Sequence, residues 1–159
     1  MGTHRLRMTQ QFVASVPLAT AHGFVADPLN VAPLMPGLDR IEARGPNDYE
    51  VIASAQIVTH SALFRINVEL TETGPTRLAG RAAGEDATKD TRIELAGSLD
   101  LASETPDRTR IAFALEGVVD GDLVLFGSGP AIDFQARHMA RQFAHDLRRA
   151  LESLEGRPM

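Results

Sequence analysis

The closing segment of the chain constrains its fold more than any other. Between residues 130 and 154, apolar side chains recur at Ile132, Ala136, Met139, Phe143, Leu147, Ala150/Leu151 and Leu154. Steps of three or four residues mark one face of a helix, so this segment predicts one long amphipathic helix. Nearly everything before it reads as strands. A long helix that closes a run of antiparallel strands has to lie in a concave sheet, and that arrangement can leave a hollow between helix and sheet.

The strand period is clearest over residues 62–71, where Phe64, Ile66, Val68 and Leu70 oppose Arg65, Asn67 and Glu69, the alternation of a strand with one buried face. Residues 91–103 repeat it, with Ile93, Leu95, Gly97, Leu99 and Leu101 against Arg92, Glu94, Ser98 and Asp100. Residues 108–119 carry Ile111, Phe113 and Leu115 on one face. Weaker strands are predicted over 10–16, 38–44, 49–59 and 76–83, and residues 84–90 read as a polar loop. Turn signals at Gly45-Pro46-Asn47-Asp48, Gly74-Pro75 and Thr105-Pro106-Asp107 separate the strands, and such short turns favour an antiparallel meander. Residues 18–26 and 29–34 read as two short helices, stopped at Asp27-Pro28 and Met35-Pro36-Gly37. Ser128 or Gly129 can cap the long helix, with Pro130 in its first turn. Arg148 and Arg149 oppose the negative end of its dipole. The class is therefore α+β: a curved antiparallel sheet of about seven strands around a long C-terminal helix, with two short helices after strand 1.

Composition narrows the function more by exclusion than by indication. At 159 residues the chain reads as a single domain, 1–159, with its core over about 9–154. It has no cysteine, which removes disulfides, thiolate metal sites and a cysteine nucleophile. A net charge of -5, one tyrosine (Tyr49) and no tryptophan argue against a nucleic-acid binder, which needs a basic field or stacking platforms. No apolar run approaches the roughly 20 residues of a membrane span. The first residues carry two arginines but no apolar run after them, so no secretory leader is expected and a cytoplasmic location is.

Four stretches in order resemble a known family. They are Phe12 through Asp27-Pro28 to Leu34-Met35-Pro36-Gly37; Asp48-Tyr49-Glu50; residues 57–69, with a Phe-containing strand; and LVLFGSGPAID, residues 123–133, running into the long helix. Over about residues 9–154 the chain resembles the carbon monoxide dehydrogenase G-subunit family of the START-like helix-grip superfamily. Thr59-His60-Ser61 stands where that family often has Gly-Pro. The resemblance implies a helix-grip fold, an accessory role beside molybdenum hydroxylases, and a cavity for an apolar ligand such as a quinone or lipid. It also implies a peripheral position at the inner membrane face.

Residues of the chain fit a cavity of this kind. Small side chains fall at the predicted inward positions Ala53, Ala55, Gly80, Ala82 and Gly97. Apolar walls are expected from Phe64, Ile66, Leu99, Phe113 and Leu115 on the sheet, and from Ile132, Ala136, Met139 and Phe143 on the helix. The bland alternative is a filled core in which small residues only allow close packing. His138 and His145 share a helix face two turns apart with Gln142 between them, but Arg141 stands beside them and zinc helices space their histidines by four; the reading is a solvated face and no metal. Asp120, Asp122 and Asp133 flank a glycine-rich loop without calcium-loop spacing. His60 and His22 read as surface histidines, and Arg137, Arg141, Arg148 and Arg149 as a solubilising face. No nucleophile motif or phosphate-binding loop is present. The sequence thus points to a noncatalytic module that holds an apolar small molecule without a cofactor. Two alternatives stay open: an assembly or membrane-recruitment factor without ligand, with an apolar patch at residues 123–126, and a helix-grip cyclase or hydrolase.

Overall fold

The computed structural model describes residues 2–57, 60–87, 90–121 and 129–155. The elements run β1 (Gly2–Ala14), α1 (Leu18–Val25), α2 (Pro28–Val31), a 3-10 turn (Ala32–Leu34), β2 (Leu38–Gly45), β3 (Asp48–Ile57), β4 (His60–Thr73), β5 (Arg77–Asp86), β6 (Thr91–Thr105), β7 (Arg108–Gly121) and α3 (Gly129–Glu155). The strands form one seven-stranded antiparallel sheet in the order β1-β7-β6-β5-β4-β3-β2. Strands β2 to β7 are a meander, and β1 joins it by pairing with β7. This is the predicted architecture, with α3 as the helix the sheet wraps.

Two boundaries differ from expectation for physical reasons. Strand β1 begins at Gly2 rather than at residue 10. His4, Leu6 and Met8 are half-buried while Thr3, Arg5 and Arg7 are exposed, so the period is present, but two arginines among few apolar residues disguise it. Strand β5 runs on to Asp86, into the expected polar loop. Asp86 is buried, and its Oδ1 accepts the backbone N–H groups of Asp90 (2.8 Å) and Thr91 (3.1 Å); a carboxylate consumed by the turn costs little to bury. Ser128 and the apolar patch at 123–126 lie outside the described residues, as do Thr59 and Asp122.

The short helices start and stop as their sequence dictates. Asp27 caps α2 by accepting the Leu29 N–H at 2.9 Å, with Pro28 in the first turn. At the following stop, Gly37 has φ +82°, and a Cβ there would lie 2.4 Å from the Ser54 carbonyl oxygen. That close approach lets Ser54 N–H donate to Gly37 O at 2.7 Å, which fastens the chain to β3; only glycine serves.

The largest packed cluster sits at one end of the sheet. Ala14, Leu78, Leu101 and Ile111 from the strands meet Ala21 and Val25 of α1 and Phe143, Leu147 and Leu151 of α3. Ile111, Leu147 and Leu151 are fully buried, and each such side chain contributes about 1.5–3 kcal/mol by leaving water. The buried Thr109 hydroxyl donates to Val16 O at 2.8 Å, tying β7 to the β1–α1 junction. At the far edge β2 is short, bulged at two places and charged, with Arg44 between Glu42 and Glu50; such an edge resists pairing with another sheet.

Candidate functional site

Strand register decides which residues face α3. Phe64 and Ile66 of β4, Ile93 of β6 and Leu6 of β1 pack with Ile132 and Ala131 at the first turns of the helix. Alternation then carries the same face along every strand. Two rows cross this inner face between the packed regions. One runs Met8–Leu115–Gly97–Gly80–Leu70, the other Leu6–Gly117–Leu95–Ala82–Val68–Tyr49.

These rows differ from what lies on either side of them. Toward one end is the large cluster around Ile111 and Leu147; toward the other is the small one around Phe64 and Ile132. Apart from Leu6, no residue of the two rows belongs to either cluster. All eleven stay half-buried although they face the helix. The clusters on either side hold side chains that are buried, so the two rows are the least buried part of the inner face.

The ten expected lining residues divide accordingly. Phe64, Ile132 and Phe143 are buried in the clusters. Ile66, Gly97, Leu99, Phe113, Leu115, Ala136 and Met139 are half-buried. Phe113 and Phe143 meet edge-to-face with ring centroids 5.2 Å apart, so they join sheet to helix at the border of the strip. Met139 leans toward the chain stop, its Cε 3.9 Å from where a Cβ of Gly37 would be. Among the small residues Gly117 is demanded by close packing: a Cβ there would lie 2.2 Å from Glu94 O. Gly97 is not, since its Cβ would come no nearer than 3.4 Å to Leu115 Cδ1. The side chain of Ala55 lies outside the described residues.

The polar groups near this face are few. His4 Nε2 and Asp133 Oδ1 are 2.8 Å apart, joining β1 to the first turns of α3. Thr3 donates to Asp120 at the same end of β1. Neither contact follows from the expected strands, because β1 begins earlier than its apolar content suggests; the alternation of His4, Leu6 and Met8 is the signal that carries it. Gln10 and Tyr49 point inward by register, opposite Phe113 and Val68. His22 meets Gly74 O at 3.2 Å, holding α1 to the β4–β5 turn. His138 and His145 are exposed, and no group of three His, Cys, Asp or Glu among the described residues could hold a metal. The side chain of His60 lies outside the described residues.

A depression of about 880 Å³ is on the other face of the sheet. Its lining comes as triplets centred on Leu6, Gly117, Leu95, Ala82 and Val68, so the flanking, outward-pointing residues form its walls. Arg5, Arg7 and Arg81 face Asp48, Glu69, Glu94 and Glu116 there, over Ala83 and Ala96. A smaller recess of about 150 Å³ lies where β1 meets α3, between Leu6, Met8 and Ala136 within and Arg5, Arg7, Arg137 and Asp133 without. Of the ten candidates, Ala136 lines this recess and none lines the groove.

A curved antiparallel sheet closed by a long helix defines the helix-grip class of fold. Solved structures of that class superpose on nearly the whole chain. A conserved protein from Geobacillus kaustophilus aligns with a TM-score of 0.81 at 15% identity, covering 93% of this chain and 96% of that one. A START superfamily protein from Mycobacterium smegmatis gives 0.65 at 14% identity, covering 93% and 98%. The ZhuI aromatase/cyclase from Streptomyces sp. R1128 gives 0.64 at 13% identity, covering 94% and 93%. No curated protein matches the chain significantly in sequence. The family model of CoxG, the G-subunit of carbon monoxide dehydrogenase, matches residues 11–152, and the chain belongs to that family.

Proposed function

We propose that this protein binds an apolar small molecule, a quinone or a lipid, between its sheet and α3, and does so without chemical conversion. The observation that carries the reading is the half-buried apolar strip of Met8, Leu115, Gly97, Leu95 and Val68 between two well-packed clusters. A strip of this kind suits a ligand whose burial completes the core. A noncatalytic role fits the same face. Its buried carboxylate, Asp86, is taken up by turn amides, and His4 is engaged with Asp133. Membership of the CoxG family supports an accessory role beside a molybdenum hydroxylase such as carbon monoxide dehydrogenase. Such a role fits a position on the cytoplasmic side, peripheral at the inner membrane face; no helix among the described residues is long and apolar enough to cross a membrane.

The test is native mass spectrometry of the purified protein, with organic extraction of whatever it carries. A bound apolar molecule, or saturable uptake of the fluorescent probe N-phenyl-1-naphthylamine displaced by a quinone, is the expected result. Absence of both rejects the reading. A second reading, recruitment of a partner without ligand, is favoured by Phe134, which is 62% exposed on α3; it predicts a partner lost on Phe134→Ala with probe uptake unchanged.

A further inference from the structure

We infer that the exposed face of α3 docks on a membrane surface rich in anionic lipid, with Phe134 entering the headgroup region and the arginines behind it meeting lipid phosphates. The inference names the surface and the lipid class behind the peripheral position proposed above; it rests on that part of the reading and not on the ligand. At about 100° per residue, Phe134, Arg137, Arg141, Arg148 and Arg149 fall within roughly 60° of one line along the helix. That line is opposite the face that carries Ile132, Phe143 and Leu147 into the core. His138 and His145 share it. All seven side chains are exposed, and Phe134 is the most exposed large apolar residue among those described.

The described acids around this face do not neutralise it. Asp133 is held by His4, Asp146 takes the Gln142 amide, and Glu152, at the far end, accepts the Ser15 N–H and faces Arg148. Six of the eight arginines on β2 to β7 pair with carboxylates. Arg137, Arg141 and Arg149 of α3 have no such partner among the described residues. Arg137 also borders the β1–α3 recess with Arg5 and Arg7, so the cations are densest beside Phe134. A chain of net charge -5 thus keeps one basic strip, and an anionic surface would draw this helix toward it and turn the rest of the molecule away. A protein partner is the competing occupant, but a stable protein interface needs an apolar centre. Phe134 is the single large apolar side chain exposed on α3 among the described residues. One aromatic ring in a field of arginines suits the boundary between headgroups and acyl chains instead.

The test is flotation of the purified protein with vesicles of phosphatidylcholine, alone or with about a third phosphatidylglycerol, at low salt and at about 0.5 M salt. The wild type should bind only the anionic vesicles and leave them in high salt. Each arginine near such a surface accounts for about fivefold in affinity, so Arg137→Gln/Arg141→Gln should weaken binding roughly thirtyfold. Phe134→Ala should weaken it about fivefold. Arg65→Gln/Arg92→Gln removes the same charge from exposed positions on the outer sheet face and should change binding less than about twofold. Circular dichroism confirms that each variant folds. Equal binding to neutral vesicles, equal loss in the two double variants, or no vesicle binding by the wild type overturns the inference; in the last case a protein partner lost on Phe134→Ala gives the face to protein. N-phenyl-1-naphthylamine uptake separates the readings. A wild type that takes up the probe but ignores anionic vesicles overturns this inference and leaves ligand binding intact, and failure of both overturns both.

Discussion

The end of the grip around Leu147 and its centre around Leu115 are built from the same residue types on the same sheet face, yet they are packed differently. Leu147 and Ile111 are fully buried, with helix, sheet and α1 all contributing to their surroundings. Leu115, further along the inner face of β7 beyond Phe113, is half-buried and stands among Gly97, Gly117 and Met8. The difference lies in what sits across from each. The C-terminal half of α3 presents Phe143, Leu147 and Leu151, whereas the part over the centre presents Ala136 and Met139, with Ala140 following. Large side chains close one end, whereas over the middle a single large side chain, Met139, stands between two alanines, and under the proposed function this separates stability from binding along a single helix.

That separation breaks first under truncation. Leu147→Ala is expected to cost about 3 kcal/mol, from lost burial and a cavity that the surroundings cannot collapse. Leu115→Ala should cost less, about 1–2 kcal/mol, because part of its surface already meets solvent and it belongs to neither packed cluster. Urea titration with an unchanged slope measures both; equal losses would show that the centre is packed like the end.

The glycines sharpen the contrast at smaller scale. Gly117→Ala should destabilise by about 2 kcal/mol, since its Cβ would lie 2.2 Å from Glu94 O and 2.5 Å from Leu95 Cδ2. Gly97→Ala, with its nearest neighbour at 3.4 Å, should be neutral or stabilise by about 0.5 kcal/mol through lower chain entropy when unfolded. Going one step further, Gly97→Val should keep the fold but weaken N-phenyl-1-naphthylamine uptake about tenfold, as a side chain grows into the strip. Uptake unaffected by that change would move the ligand away from the centre.

The fold was legible because its signals are local and repeated. The period of Phe64, Ile66, Val68 and Leu70 marks a strand wherever it pairs, and the spacing from Ile132 to Leu154 marks a helix whatever it packs against. The start of β1 was not, because Arg5 and Arg7 lower the apolar content that marks a strand, and only pairing with β7 makes those residues one. The site was legible as a face but not as a filling. Leu99, Phe113 and Leu115 share one side by parity, yet which of them is covered depends on where α3 crosses the sheet. Parity was equally blind to Gln10. The clean alternation of β4 shows an inner face directly, but the mixed pattern at residues 10–16 hides a polar side chain on that face until the register to Phe113 is known.

The smallest effect tests the rim of the packed end, where a charge does work that apolar contacts do elsewhere. The Ser15 N–H donates to Glu152 Oε2 at 2.9 Å, and Arg148 Nε lies 3.6 Å from the other carboxylate oxygen. The Ser15 hydrogen bond above all, helped by Arg148, holds the Glu152 carboxyl below its ordinary value against the opposing effect of burial, which outweighs that of Arg148 alone. A group depressed in the folded state stabilises above its unfolded value and ceases to as pH falls through the folded one. Glu152→Gln keeps an acceptor for Ser15 but loses the charge, so at neutral pH it should cost about 0.5–1 kcal/mol, the size of a partly exposed charged contact. Below the ordinary glutamate range, near pH 4, the gap between variant and wild type should begin to narrow, and it should close once the pH is below the depressed folded value. Urea midpoints followed from pH 7 down to pH 2 measure this directly. A gap that persists in acid would mean that Glu152 works through its packing against the end of β1, and that the rim, like the cluster behind it, is held by shape alone.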